Sequence, residues 1–226
     1  MKFLYYFKYF YFIARNWNVK LAAFTVYHEI KGEKKYNIDT VKINRLGNEH
    51  IESENLQHAS IYQASNYFLL EKAFDFLKDE NANIGLVDFG CGKGRVLIVA
   101  ANYGFKSLTG IEFSQNLCIE AEENIEKIKP IFPNILFNII CEDAVKYEIE
   151  NDKNCFFFFN PFDEMIMLKV VKNLLSFLKK NSRKIYVIYI NPLHKEIFLS
   201  AGFSEEYFFR KMEYLEFCIL SKEGEE

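Results

Sequence analysis

Three glycines at alternate positions, Gly90, Gly92 and Gly94, form the pattern with the clearest chemical meaning in this chain. An apolar run over residues 84–89 precedes them and predicts a strand, and a helical pattern begins directly after them at Arg95. Glycine permits backbone angles that other residues avoid, and it lets the main chain approach a ligand closely. The helix start offers unpaired N–H groups to a polar or anionic group. The pattern therefore predicts a cradle for a cofactor, with a glycine turn that binds nothing as the alternative.

The elements around this turn alternate between strand and helix. This alternation predicts a parallel sheet with helices on both faces, and two final strand-like runs predict a terminal hairpin with one antiparallel strand at or near the edge. The predicted strands lie at 84–89, 107–111, 135–140, 154–159, 184–190, 203–209 and 213–220, and the predicted helices at 62–77, 95–103, 115–128, 163–179 and 193–200.

Ligands of such sheets bind at the carboxyl ends of the strands, where the strand order switches. Glu112 follows the second predicted strand, and a carboxylate there can accept two hydrogen bonds from ribose hydroxyls. The alternative for Glu112 is an acidic residue that the dipole of the following helix favours. Its place beside the glycine turn makes us favour the ribose role.

The glycine spacing is Gly-x-Gly-x-Gly, which differs from the Gly-x-Gly-x-x-Gly of dinucleotide-binding proteins, and Asp88 lies two residues before the first glycine. This arrangement resembles motif I of class I S-adenosylmethionine-dependent methyltransferases, and the resemblance covers about residues 60–220. It implies a doubly wound, seven-stranded, mostly parallel α/β sheet of the Rossmann-like methyltransferase fold. It also implies S-adenosylmethionine as the cofactor. The cofactor-binding residues expected on these grounds in the sheet are Asp88, Gly90, Gly92, Gly94, Glu112 and Asp143.

Asp143 is expected to bind the cofactor because class I methyltransferases typically carry, after the third strand, an acidic residue that contacts the adenine amino group. Glu142 competes with Asp143 for this role, and the alternative for Asp143 is a helix N-cap.

Asn160, Pro161 and Phe162 follow the fourth predicted strand and are the candidate catalytic residues. Methyl transfer is an in-line displacement, so an enzyme must hold the nucleophile near the methyl carbon and exclude water from it. An Asn oxygen and a carbonyl fixed by proline can accept hydrogen bonds from an amine. The segment resembles the Asn/Asp-Pro-Pro-aromatic motif of amino-group methyltransferases but has one proline fewer, which disfavours methylation of a nucleic-acid base. A strand-to-helix turn is the alternative.

Residues 61–67, Ile-Tyr-Gln-Ala-Ser-Asn-Tyr, and the Tyr-Ile-Asn-Pro of residues 189–192 resemble segments of a group of mostly uncharacterised bacterial methyltransferases. That group is distantly similar to lysine methyltransferases of the disruptor-of-telomeric-silencing type. The resemblance implies that Tyr62 and Gln63 close over the methionine end of the cofactor. The alternative for both residues is ordinary packing at a helix start.

Charge is distributed unevenly along the chain. Residues 1–45 hold nine Lys/Arg and three Asp/Glu (+6), and the remainder holds 19 and 28 (−9), which together give the net −3. The acidic body makes broad nucleic-acid binding unfavourable. Five scattered cysteines without a Cys-x-x-Cys pair indicate reduced thiols and a cytoplasmic protein, and the four histidines show no metal-ligand spacing.

The first twelve residues are mostly aromatic, with Lys2 and Lys8 between them. They lack the features of a secretory signal and are too short to span a bilayer. Two interpretations remain open: a helix packed on the domain, which we favour with part of its basic face free, or a helix lying on a membrane surface. A polar stretch from about Lys31 to Asn55 is expected to be a connector or lid.

These observations predict a basic aromatic helical arm and connector at residues 1–55 and an S-adenosylmethionine-binding domain at 56–226. The expected activity is methyl transfer to nitrogen, with a protein lysine or another amine favoured as acceptor. The alternatives are an RNA or small-molecule methyltransferase, or a cofactor-binding module without turnover. The oligomeric state stays open.

Overall fold

The computed structural model describes residues 2–40, 63–78 and 85–224, and the site residue Tyr62 lies outside them. Within these ranges a seven-stranded sheet has the order β3-β2-β1-β4-β5-β7-β6. The sheet confirms the predicted Rossmann-like methyltransferase fold. The strands are β1 Gly85–Phe89, β2 Ser107–Glu112, β3 Leu136–Cys141, β4 Lys153–Phe158, β5 Lys184–Ile190, β6 Ser204–Lys211 and β7 Leu215–Glu223. The helices are α1 Lys2–Asn16, α2 Val19–Tyr36, α3 Tyr67–Phe76, α4 Arg95–Asn102, α5 Gln115–Ile128, α6 Glu164–Leu178 and α7 Lys195–Ser200, with a short 3-10 helix at Lys129–Ile131.

Strand β1 lies at the centre, paired in parallel with β2 on one side and β4 on the other. Strand β7 runs antiparallel to β5 and carries β6 on the outer edge. The switch in strand order falls between β1 and β4, so the carboxyl ends of these strands meet where the ligand of a doubly wound sheet binds.

Alternating side chains on the central strands build a separate apolar layer on each face of the sheet. Leu86 packs in the layer that includes α3 and α4, whereas Val87 and Phe89 pack in the layer that includes α6 and α7. Strands that are buried on both faces read as continuous apolar runs, which is why the sequence pattern locates them well.

The N-terminal helices pack on the first of these layers. Ile13 of α1 and Leu21 of α2 belong to the same core cluster as Leu70 of α3. Gly32 lies against Tyr67, since a Cβ on Gly32 would fall 2.2 Å from the Tyr67 Cγ atom. The absence of a side chain at Gly32 therefore allows α2 to approach α3 closely.

Two predicted boundaries near the arm are wrong. Residues 31–36 are helical, because α2 continues to Tyr36, which is buried and stacks on the Tyr67 ring at 5.5 Å between centroids. The helix predicted from residue 62 begins at Tyr67, because Asn66 has extended backbone angles and its side chain accepts the Phe68 N–H at 2.9 Å as an N-cap. Residues 37–40 of the expected connector are not helical, and residues 41–55 lie outside the described residues.

Candidate active site

The glycine turn has the backbone shape that its sequence predicts. Gly90, Gly92 and Gly94 have φ angles of 77°, 52° and 78°, in the left-handed region that side chains disfavour. The N–H groups of Gly90 and Cys91 both donate to the Ile111 carbonyl, at 2.8 and 3.0 Å. The turn is thereby fastened to the end of β2, and α4 begins directly after it.

Glu112 holds this turn from the neighbouring strand. Its carboxylate accepts the N–H of Gly92 at 3.0 Å through one oxygen, and the N–H groups of Phe113 and Ser114, both at 3.0 Å, through the other. The side chain is buried. These bonds include the helix-start contacts of the alternative interpretation, and they also place the carboxylate directly at the glycine turn. The ribose role stays a prediction.

Asp88 is buried beside the turn, and its Oδ2 atom has no hydrogen-bond partner among the described residues. Burial raises the pKa of Asp88 well above its usual value, and the negative charge of Glu112 raises it further. A buried polar atom without a partner is rare in folded proteins and calls for a ligand or a bound water.

The acidic residues after β3 differ in their surroundings. Glu142 is exposed, whereas Asp143 is half-buried and accepts the Val145 N–H at 3.0 Å. The alternative of a helix N-cap is wrong for Asp143, because the residues that follow it form a turn, which this hydrogen bond closes. The adenine contact of either residue stays a prediction.

The Asn160-Pro161-Phe162 segment lies directly against the glycine turn, since a Cβ on Gly90 would fall 2.8 Å from the Pro161 Cβ atom. The structure thus brings two separate sequence motifs together. Asn160 is half-buried with a φ angle of 45°, a left-handed conformation that Asn tolerates better than most residues. Such conformations cluster at functional sites.

Tyr189, at the end of β5, orients Asn160. Its hydroxyl donates to Asn160 Oδ1 at 3.3 Å and accepts the His194 backbone N–H at 3.3 Å. Burial raises the pKa of Tyr189 to about 12, so the hydroxyl stays protonated at neutral pH. Sequence reasoning noted Tyr189 only as part of a motif. The pairing of β4 with β5, which makes Phe158 and Tyr189 neighbours, is the signal that would have assigned it.

Arg95, the first residue of α4, is a second residue that the sequence interpretation did not assign. Its guanidinium is buried, donates to Glu29 of α2, to Thr40 and to the Ser65 carbonyl, and lies 4.1 Å from the centre of the Tyr67 ring. The sequence signal that could have identified Arg95 is a charged residue at the start of an otherwise apolar helix. Arg95 fixes the end of the glycine turn to the N-terminal arm.

The other flank of the turn is held from α5. Lys93 is almost fully buried and its ammonium lies 2.8 Å from the Glu120 carboxylate, while the Asn124 side chain donates to the Lys93 carbonyl at 3.1 Å. The main chain of the turn is therefore supported from α2, α5 and β2, and this limits its motion.

Gln63 is exposed and lies near the Tyr9 hydroxyl of the arm. This proximity places Gln63 between α1 and the start of α3. Its role toward the cofactor stays a prediction, as does that of Tyr62.

These features fit a cofactor with a sulfonium methyl group and an adenosine. Gly90 is exposed at the carboxyl end of β1, Glu112 supplies a carboxylate at the end of β2, and Asp88 presents a buried oxygen without a partner among the described residues.

The comparisons with known proteins agree with this geometry. Residues 87–183 match the family model of a methyltransferase domain. No curated protein matches the sequence. The fold resembles a candidate methyltransferase from Escherichia coli, with a TM-score of 0.56 and 12% identity over 73% of this chain and 90% of that one.

Two further solved structures are similar in fold. A candidate RNA methyltransferase from Pyrococcus horikoshii gives a TM-score of 0.54 and 16% identity over 85% of this chain and 98% of that one. Magnesium protoporphyrin IX methyltransferase from Synechocystis, solved with bound S-adenosylmethionine, gives a TM-score of 0.50 and 14% identity over 71% of this chain and 85% of that one.

The matched domain contains the glycine turn, Glu112, Asp143 and the Asn160-Pro161-Phe162 segment, so the family match and the site geometry concern the same residues. Residues 87–183 match a methyltransferase domain, and the chain is an S-adenosylmethionine-dependent methyltransferase.

Proposed function

We propose that this enzyme transfers the methyl group to nitrogen, with the amine of a protein lysine or another amine as the acceptor. The observation that carries the proposal is the position of Asn160, whose side-chain oxygen is oriented by Tyr189 beside a segment that touches the glycine turn. A carbonyl-type oxygen accepts the N–H groups of an amine and cannot donate to its lone pair. The bound cofactor would supply a methyl carbon on a positively charged sulfur.

The chain's own residues would then orient the acceptor. An amine N–H that donates to Asn160 Oδ1 directs the nitrogen lone pair away from this oxygen and toward the end of β1. The acceptor would react as the neutral amine: its nitrogen would take over the positive charge together with the methyl group and then release one of its two protons to solvent. Pro161 offers no N–H that could compete for the lone pair. Phe162 and the buried aromatic side chains behind it exclude water, and Phe162 packs against the apolar layer that contains α6.

The finer assignment to a protein lysine rests on the local motifs alone. The distant similarity to lysine methyltransferases of the disruptor-of-telomeric-silencing type comes from the sequence segments around residues 61–67 and 189–192. The solved structures above include a candidate RNA methyltransferase and a porphyrin methyltransferase. Both are under 25% identical to this chain, so their similarity supports the fold and not the acceptor. RNA and small molecules without an amine are therefore the competing acceptors.

The test begins with radiolabelled methyl transfer to lysine-containing peptides, small amines and RNA. Incorporation into an amine, and its loss in the Asn160→Ala variant with unchanged cofactor affinity by calorimetry, supports the proposal. Asn191→Ala is a matched control, because Asn191 also precedes a proline and also has a positive φ angle, 51° against 45°. Asn191→Ala places alanine in the same left-handed backbone conformation as Asn160→Ala does, so both variants carry the same backbone cost. Incorporation into RNA alone, or full turnover in Asn160→Ala, would contradict amine positioning by Asn160.

A further inference from the structure

Helix α1 presents an apolar stripe to solvent. Phe3 is 84% exposed and Phe7 61% exposed, and Leu4 and Tyr11 are exposed beside them. Residues four apart lie on the same side of a helix, so Phe3, Phe7 and Tyr11 form one row. Large apolar side chains on the surface are ordinary when they are scattered, but a contiguous row marks an interaction site.

The stripe is not explained by loose packing of the helix. On the opposite side of α1, Ile13 is buried in the core and the Tyr6 hydroxyl donates to Glu33 of α2 at 2.5 Å. Helix α2 is in turn joined to the methyltransferase domain by Glu29 and Arg95. The stripe is therefore held outward on a fixed support.

The exposed aromatic surface continues past the end of α1. The ring of Trp17, which is half-exposed, packs edge-on against Phe12 at 5.9 Å and against Tyr214 at 6.4 Å. Tyr214 lies in the turn between β6 and β7. Tryptophan and tyrosine are enriched at the interface between a membrane and water, because one part of each ring system is apolar and the other polar. We call this surface, formed by Phe3, Leu4, Phe7, Tyr11, Phe12 and Trp17, the arm patch.

Positive charge borders the arm patch. Lys8 and Arg15 are exposed and seven residues apart, so they lie on one side of α1 next to Tyr11, and Lys20 is exposed at the start of α2. Residues 1–28 contain four Lys/Arg and no Asp/Glu, whereas the remaining residues contain 24 Lys/Arg and 31 Asp/Glu. The charge is therefore +4 on the segment that carries the patch and −7 on the rest.

From this combination we infer that the arm patch docks on the surface of an anionic lipid bilayer, with α1 lying in the plane of the interface. An aromatic row with basic residues at its edge is the arrangement that inserts side chains into the boundary of the acyl chains while lysine and arginine meet anionic headgroups. Among the described residues, no helix is long and apolar enough to cross a membrane.

Charge disfavours the main alternative, a second copy of this chain on the same surface. A symmetric contact between two copies of α1 would bring Lys8 and Arg15 of both copies together, and residues 1–28 offer no carboxylate to neutralise them. RNA would be attracted by the same basic residues, but it would leave the exposed Phe3 and Leu4 without apolar contact if phosphates dominated the binding.

The test uses the full chain and sedimentation with vesicles of phosphatidylcholine alone or with 30% phosphatidylserine. The expected result is binding to the anionic vesicles only, a drop of at least tenfold in Phe3→Ser/Phe7→Ser, and a similar drop in Lys8→Glu/Arg15→Glu. Leu136→Ser/Leu193→Ser is the matched control, because both leucines are exposed to a similar degree and lie outside the patch. It should bind vesicles like the wild type.

Cofactor affinity is measured on every variant and should not change, which keeps this test independent of the proposed acceptor. Failure of the wild type to bind anionic vesicles would overturn the inference. So would equal loss in the control variant, RNA binding that depends on Phe3 and Phe7 while vesicle binding does not, or a dimer in solution that Phe3→Ser/Phe7→Ser dissociates without an effect on vesicles.

Discussion

The guanidinium of Arg95 and the carboxylate of Glu29 form a buried ion pair that joins the glycine turn to helix α2, with one N–O distance of 3.0 Å. Arg95 follows Gly94 directly, so the residue that comes directly after the glycine turn is also the residue that anchors the N-terminal arm. The arm is in this sense part of the site's support.

Removal of Glu29 should destabilise the protein strongly. Glu29→Leu removes a carboxylate from the buried Arg95 guanidinium, which costs about 3–5 kcal/mol of unfolding free energy. Glu29→Leu/Arg95→Met should lose much less, because both buried charges of the pair are removed together. Urea unfolding of the three proteins measures this. The control is Glu205→Gln, which breaks the more exposed pair with Lys195 and should cost about 1 kcal/mol or less. Equal losses in Glu29→Leu and Glu205→Gln would show that the buried pair does not anchor the arm.

The sequence predicts most of the fold because its central strands are buried on both faces. Their apolar runs, each ended by a polar or glycine turn, locate β1 to β5 within about one residue. It also predicts that Glu112, Asp143 and Asn160 lie at or just after strand ends, where ligands of such sheets bind, and their roles toward a ligand stay predictions. It does not predict the support of the site. Contacts such as Arg95 with Glu29, or Tyr189 with Asn160, join residues 66 and 29 positions apart, and only packing brings them together.

The glycine turn can be tested with a pair of alanine substitutions. Gly90→Ala and Gly104→Ala both place a side chain at a positive φ angle, 77° and 92°, which costs about 1–2 kcal/mol of stability each. Only the Cβ at position 90 meets a neighbour, Pro161, whereas nothing lies within 4 Å at position 104. We expect calorimetry to show a cofactor affinity at least tenfold weaker in Gly90→Ala and unchanged in Gly104→Ala. If both bind like the wild type, the turn does not form the cradle.

Glu112→Ala should weaken cofactor binding by about 1.5–3 kcal/mol, since a charged acceptor for the ribose hydroxyls is lost. This corresponds to roughly ten- to a hundredfold in the dissociation constant. Glu112→Gln should lose less, because one oxygen remains. Ser114→Ala is the control for the start of α5, since the Ser114 hydroxyl caps this helix by accepting the Leu117 N–H. An equal loss of affinity in Ser114→Ala would mean that Glu112 acts only through the helix start.

The last prediction concerns Asp88 and pH. Burial, and then the charge of Glu112, raise the pKa of Asp88 in the folded protein above its value in the unfolded chain. Between these two pKa values the folded protein keeps a proton that the unfolded chain has lost, so this residue's contribution to stability falls as pH rises through that interval. Asn resembles the protonated acid in shape and has no charge to lose. Asp88→Asn should therefore unfold at a higher temperature than the wild type at pH 8, and the two melting temperatures should converge near pH 4. Thermal unfolding followed by circular dichroism across this range measures the difference. A gap that stays constant with pH would mean that Asp88 is ionised in the folded protein at every pH tested, with a partner that neutralises it.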